Sequence, residues 1–277
     1  LQITHLLYPL IRYASLMRAL ELRLLLPWVR DVKGWRALDV GCGHGFYSLE
    51  PARRGADQVG CDLDRPSLAS ARKIAGALGL DSQTLFLAAD GTDLPLSDQS
   101  FDLVVCNCVL EHVGDDGAAL AAMARSLRAG GILYLTVDNA EHGSALGLLD
   151  RLPAAAKHWL LWPQVASAET VARGLEARLD DLYAVLRRYH ADELTRVLGE
   201  MGLTILDCRP YLTGIGGAHY EAFHAVRFLD PAKNIGRVLY TASSLLLYPL
   251  AAWADNRKGT VGHGLSIVAR KEGEGSA

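Results

Sequence analysis

The chain has 277 residues, and its 28 Lys+Arg against 31 Asp+Glu give a formal charge of −3 and a pI near 6.3. That balance lacks the basic excess a phosphate-backbone binder needs, so nucleic acid is not an expected partner, and the length suits one domain carrying insertions. Five cysteines, Cys42, Cys61, Cys106, Cys108 and Cys208, are an odd number set mostly in or beside apolar runs, which fits a reducing compartment better than a disulfide scaffold.

In chain order, residues 6–29 mix Leu and Ile with Arg12, Arg18, Glu21 and Arg23. They read as one or two amphipathic helices broken near Pro27, a flank spanning 1–34. No secretory leader pattern opens the chain, and the expected location is the cytoplasm, membrane-peripheral at most. From Arg36 the texture changes to short apolar runs at 37–40, 58–61, 84–88, 103–106 and 132–137, alternating with helical spacing at 66–78 and 116–128. Gly130-Gly131 supplies a left-handed stop for the second helix. The rhythm predicts an α/β fold, a doubly wound, Rossmann-like, mostly parallel sheet with its core over 35–140. Residues 141–190 read as a mainly helical insertion, rich in Leu, Ala and Trp, that forms a lid. The remainder, 191–277, predicts a helix at 192–201, a strand at 203–208, an apolar helix at 235–254 and a last strand at 265–269.

The sharpest signal is Leu38-Asp39-Val40-Gly41-Cys42-Gly43-His44-Gly45, an apolar strand running into a glycine-rich turn, with a helix expected from about Phe46. Glycines let backbone approach a ligand, and a helix N-terminus offers free N–H groups to an anionic end. Twenty-one residues after Gly41 stands Asp62, at a strand end, where a carboxylate can accept from two ribose hydroxyls. A nucleoside ligand is implied. The dinucleotide fingerprint would need its third glycine at position 46, which is Phe46, so a nicotinamide cofactor is disfavoured.

These residues resemble the class I S-adenosylmethionine-dependent methyltransferases, in their small-molecule branch. Gly60-Cys61-Asp62 resembles the family's ribose-binding strand end, and Ala89-Asp90-Gly91-Thr92-Asp93-Leu94-Pro95 the loop whose Asp90 meets the adenine amino group. Ser100 to Val105 resembles the fourth strand, Val109-Leu110-Glu111-His112-Val113 the segment after it, and Leu127-Arg128-Ala129-Gly130-Gly131 the turn before strand five. The resemblance implies that S-adenosylmethionine, leaving as S-adenosylhomocysteine, is held by Asp39, Gly41, Cys42, Gly43, Gly45, Asp62, Leu63, Asp90, Gly91, Asn107 and His112. Taken alone, Asp62 also reads as a helix cap, Asp90 as a turn former and His112 as a helix-start residue. Cys106 and Cys108 would face opposite ways along a strand, so they read as core, and no metal-ligand constellation is expected.

Methyl transfer from a sulfonium needs alignment more than acid–base chemistry. Should the acceptor be a hydroxyl, His142 and His190 are the first candidates for its base, ahead of Tyr189, His219, Tyr220 and His224. After strand four, Cys106-Asn107-Cys108-Val109 departs from the Asn/Asp-Pro-Pro-aromatic motif of macromolecular amino-methylating enzymes. The expected partner is therefore a small, apolar or lipid-like acceptor. Residues 238–254 carry no charge over seventeen positions, short for a span. They read as a packed helix, a pocket wall with Trp159 and Trp162, a homodimer face or a membrane contact. The rival readings are a non-catalytic methyltransferase-like scaffold and a nicotinamide-dependent oxidoreductase.

Overall fold

A computed structural model describes residues 15–142, 184–229, 234–256 and 261–273. Helix α1, Leu16–Leu25, runs into a 3-10 turn at Leu26–Val29, as the break at Pro27 predicts. Strands β1 (Arg36–Val40), β2 (Asp57–Asp62), β3 (Thr84–Ala88), β4 (Phe101–Asn107) and β5 (Leu127–Asp138) pair in parallel. They are joined through α2 (Leu49–Ala52), α3 (Arg65–Ala77) and α4 (Asp116–Ser126). Past the insertion come α5 (Ala191–Glu200), β6 (Leu203–Thr213), α6 (Gly214–Leu229), α7 (Asn234–Ala254) and β7 (Gly262–Lys271). The seven strands lie in the order β3-β2-β1-β4-β5-β7-β6, with β7 antiparallel to both neighbours. The reversal of order between β1 and β4 opens a crevice at the strands' carboxyl ends, where such sheets bind ligands.

Burial follows from that layering. Strand β4 is apolar along most of its length because both of its faces are covered, Leu38, Val104 and Leu135 facing one layer and Ala37, Val105 and Tyr134 the other. Helix α3 starts where Asp64 accepts from the Ser67 amide at 3.1 Å, and it buries Leu68, Ala71 and Ala75 against Phe86. Asp115 caps α4 in the same way, accepting from the Ala118 amide at 2.9 Å.

Four expectations are corrected. The helix after the glycine loop begins at Leu49 rather than Phe46, because residues 43–48 continue as turns. Helix α4 ends at Ser126, where Leu127 turns extended, so Gly130, at φ +77°, lies inside β5 and stops nothing. Helix α6 was not expected at all. Strands β6 and β7 run several residues beyond the predicted 203–208 and 265–269, pairing as far as Thr213 with Gly262. The predicted lid falls largely on 143–183, outside the described residues, as do Trp159 and Trp162.

No helix among the described residues is long and apolar enough to cross a membrane. Helix α7 is two-sided. Ala251 packs with Leu16, Leu20 and Tyr211 and Ser244 is buried, while Leu239, Leu246, Leu250 and Trp253 stand exposed on the outside.

Candidate active site

The glycine loop is built around the end of β2. The amides of Gly41 and Cys42 both donate to the Cys61 carbonyl, at 2.8 and 2.9 Å, and the Gly43 amide donates to Asp62 Oδ2 at 2.7 Å. These three N–H groups are therefore committed within the protein, where they fix the shape of the loop. Gly41 sits at φ +72°, and a Cβ there would lie 2.4 Å from Val109 Cγ2, so the loop presses directly on the segment after β4. Cys42 turns inward to the core beside Gly60 and Phe86, leaving only its backbone at the loop.

Asp62 does more than the ribose role alone would require. Its Oδ1 accepts from the Asp64 amide at 2.8 Å while Oδ2 holds Gly43, so one carboxylate joins the loop to the start of α3. An ionised carboxylate has about four acceptor positions, which leaves room for two ligand hydroxyls. Leu63 beside it is 71% exposed, an apolar surface in place for a base to cover. Asp90 is exposed and folds back onto the Thr92 amide and hydroxyl at 2.9 and 2.8 Å, which hold its carboxyl below its ordinary range. Gly91 lies within 3 Å, by its notional Cβ, of Val40 at the end of β1. Asp39 is buried in β1 and accepts from Ser48 Oγ at 2.5 Å. Burial pushes it up to about 7, with the Ser48 hydrogen bond pulling the other way.

At the end of β4, Asn107 Oδ1 is a buried acceptor without a hydrogen-bond partner. Beyond it, Glu111 is buried with Oε2 likewise unsatisfied, and burial, reinforced by Asp138, raises it to about 8. His112 is exposed in a 3-10 turn, with Nδ1 3.1 Å from the Ala184 carbonyl. Arg187 adds a hydrogen bond to the Gly114 carbonyl at 2.9 Å and an ion pair with Asp116 at 2.6 Å. The end of the insertion is thereby docked on the connection after β4.

Sequence reasoning missed a second feature, a carboxylate on the flanking helix. Glu21 of α1 is fully buried and accepts from the hydroxyls of Tyr47 and Tyr211 and from Cys108 Sγ, the last two at 3.0 and 3.2 Å. Tyr134 donates to the Glu21 carbonyl at 3.2 Å, and Arg18 lies over the Phe46 ring at 5.2 Å. Cys108, expected to be core packing, is instead part of this polar cluster, having left the strand at φ +51°. The flank is thus pinned to the glycine-loop segment, the end of β4 and β6.

The candidates for acceptor chemistry separate. His142, just past β5, lies against Glu221 of α6 and His263 of β7. His190 is exposed at the N-cap of α5 and makes no capping hydrogen bond. Tyr189 is buried and donates to the Leu110 carbonyl and to Asp116. His219 Nε2 lies 2.8 Å from Ser243 Oγ between α6 and α7, and burial lowers its basicity. Tyr220 packs edge-on to His263 at 5.2 Å. The side chain of His224 is outside the described residues.

Residues 38–135, which hold the glycine loop, Asp62, Asp90 and Asn107, match the family model of the methyltransferase domain. The ubiquinone biosynthesis O-methyltransferase of Xanthomonas oryzae pv. oryzae is 35% identical over 166 residues, covering 56% of this chain and 68% of that protein. The chain belongs to the S-adenosylmethionine-dependent methyltransferases. It spans about half the length of another relative of this methyltransferase, the ubiquinone biosynthesis O-methyltransferase of Aeromonas salmonicida, which is 36% identical over 118 residues, 41% of this chain and 49% of that one. Among solved structures, the methyltransferase superposes on geranyl diphosphate methyltransferase in complex with S-adenosylmethionine, with a TM-score of 0.56 at 15% identity over 91% of this chain and 84% of that one. Haemonchus contortus phosphoethanolamine N-methyltransferase 2 gives 0.59 at 17%, over 91% and 52%. The cyclase SpnF gives 0.56 at 22%, over 90% and 81%. At these identities the likeness is one of fold, and a cyclase among the neighbours shows that fold alone does not choose the reaction.

The site of this methyltransferase fits the cofactor on its own geometry. An orphaned amide oxygen at Asn107, spare acceptor capacity on Asp62 and the bare Leu63 surface line the carboxyl ends of β4 and β2, on either side of the glycine loop.

Proposed function

We propose that the protein transfers a methyl group from S-adenosylmethionine to a hydroxyl of a small, apolar acceptor. The observation that carries this reading is the glycine loop locked onto Asp62, with acceptor capacity left over at the strand ends. The cofactor, when bound, supplies a methyl carbon already activated on a sulfonium. The chain's part is to hold, align and keep water out. Asp62 takes the ribose hydroxyls, Leu63 covers one face of the base with Asp90 and Gly91 at its rim, and Asn107 Oδ1 accepts from the ammonium.

An oxygen acceptor is supported by similarity to relatives named as O-methyltransferases of ubiquinone biosynthesis. A hydroxyl must lose its proton, and we assign that task to His142, which stands at the carboxyl end of β5 against Glu221, rather than to the exposed His190. The apolar character of the acceptor is supported by Leu239, Leu246, Leu250 and Trp253, which form one exposed face of α7. With Arg257 and Lys258 next in sequence, that face suits peripheral contact with an anionic bilayer, and a homodimer is the competing use.

S-adenosylmethionine and S-adenosylhomocysteine are expected to raise the melting temperature, while NAD leaves it unchanged. Ligand at a hundredfold excess over Kd contributes about 2.7 kcal/mol. A shift with NAD alone would refute the cofactor assignment. In a transfer assay on phenols of graded alkyl-tail length, kcat/KM is expected to rise about fourfold per methylene, the equivalent of about 0.8 kcal/mol, until the pocket is full. Preference for a charged, water-soluble acceptor would overturn the apolar reading.

A further inference from the structure

Across the sheet edge from the glycine loop, three side chains converge from three elements. His142 follows β5, Glu221 lies in the second turn of α6, and His263 is the second residue of β7. Glu221 Oε1 stands 3.4 Å from His142 Nε2 and 2.8 Å from His263 Nε2. The imidazole centroids are 3.6 Å apart, and the three side chains are 18, 8 and 14% exposed. His263 Nε2 is fully buried, yet its approach to the carboxylate is close without being aligned as a hydrogen bond.

We propose that His142, Glu221 and His263 bind a divalent first-row transition ion, with Zn²⁺ as the reference case. All three donor atoms lie within 4.8 Å of one another. Tetrahedral zinc with ligands at about 2.0–2.1 Å separates its donors by about 3.3 Å, and the two distances to Glu221 fall on either side of that value. A simple His–Glu hydrogen bond would aim an N–H at the oxygen, which His263 does not do. Imidazole nitrogen is a common ligand of such ions, and two of them face one carboxylate here. Two nitrogens and one carboxylate oxygen suit zinc and its neighbours rather than calcium or magnesium.

The surroundings hold the donors in place. Asn139 is buried, donates from Nδ2 to the Gly262 carbonyl at 2.9 Å and from its amide to the His263 carbonyl at 2.8 Å. It therefore ties the end of β5 to the start of β7, on either side of the donors. Gly217 of α6 brings its backbone against His263, where a Cβ would lie 3.1 Å from Cδ2. Such outer contacts fix ligand orientation. Three protein ligands leave a coordination position open, as in catalytic zinc sites. Binding of the ion stands independently of the methyl-transfer reading. Its use rests on that reading: an acceptor hydroxyl at the open position would give up its proton to solvent water more readily, and His142, with Nε2 on the ion, would serve as a ligand in place of the base assigned above.

The test is calorimetric titration of chelator-stripped protein with Zn²⁺, without cofactor or acceptor, accompanied by Co²⁺ absorption spectra. One equivalent per chain is expected, with visible Co²⁺ bands of a four- or five-coordinate site. Glu221→Gln and His263→Gln should each weaken Zn²⁺ binding by more than about 100-fold, beyond the loss typical of an outer-contact change. S-adenosylmethionine affinity of the same variants checks that the fold survives, and His142→Asn, on the segment past β5, serves if either fails to fold. Absence of stoichiometric binding in the wild type, or equal binding in a folded variant, would overturn the proposal. Failure of methyl transfer with Zn²⁺ still bound would fall on the functional reading alone.

Discussion

Asp62→Ala is expected to cut S-adenosylmethionine affinity by roughly 10- to 150-fold, since a hydrogen bond to a charged group contributes about 1.5 to 3 kcal/mol. Asp62→Asn should do little better. Both carboxylate oxygens already face backbone donors, Gly43 on one side and Asp64 on the other. An amide must turn its NH₂ toward one of them, so the substitution replaces an attraction with a clash of donors. Calorimetry on the two variants separates this from a purely ligand-facing role, in which asparagine would recover much of the affinity. Recovery to within about threefold of wild type would show that the backbone contacts are incidental.

Glu21→Ala is expected to destabilise the fold by about 3 kcal/mol or more. It leaves the Tyr47 and Tyr211 hydroxyls and the Cys108 thiol without their shared acceptor, each buried group costing about 1–3 kcal/mol, and opens a cavity. Glu21→Gln should cost less than half as much. Burial pushes the Glu21 carboxyl toward its neutral form, with hydrogen bonds from Tyr47, Cys108 and Tyr211 opposing it, and glutamine copies the neutral shape. Urea unfolding of both variants provides the measurement. An alanine variant within about 1 kcal/mol of wild type would mean that the cluster is solvated or repacks.

The parallel half of the sheet was legible because β1, β2 and β4 are short apolar runs between turn signals, and the glycine loop because its spacing is local. Helix α6 was hidden by Gly214, Gly216 and Gly217, poor helix formers at its start. The last two are there for close packing, Gly216 against Leu20 and Gly217 against the Leu212 carbonyl, and tertiary contact overrides propensity. Glu21 read as one charge among several on an amphipathic helix, and nothing local marks it as buried. His142, Glu221 and His263 are far apart in the chain, so only the pairing of β5 with β7 and the placement of α6 bring them together. For that reason residue spacing along the chain points to no metal constellation there. The catalytic assignments to His142 and His190 rested on position after strand and insertion ends, which places a residue near an edge but cannot say which way its ring faces.

Because β7 runs against its neighbours, its first residues, not its last, lie beside the carboxyl end of β5. During synthesis strands β1 to β4 emerge and can pair before His263 is made, so the cluster at the end of β5 assembles only after a long-range strand pairing, later than the parallel sheet it adjoins.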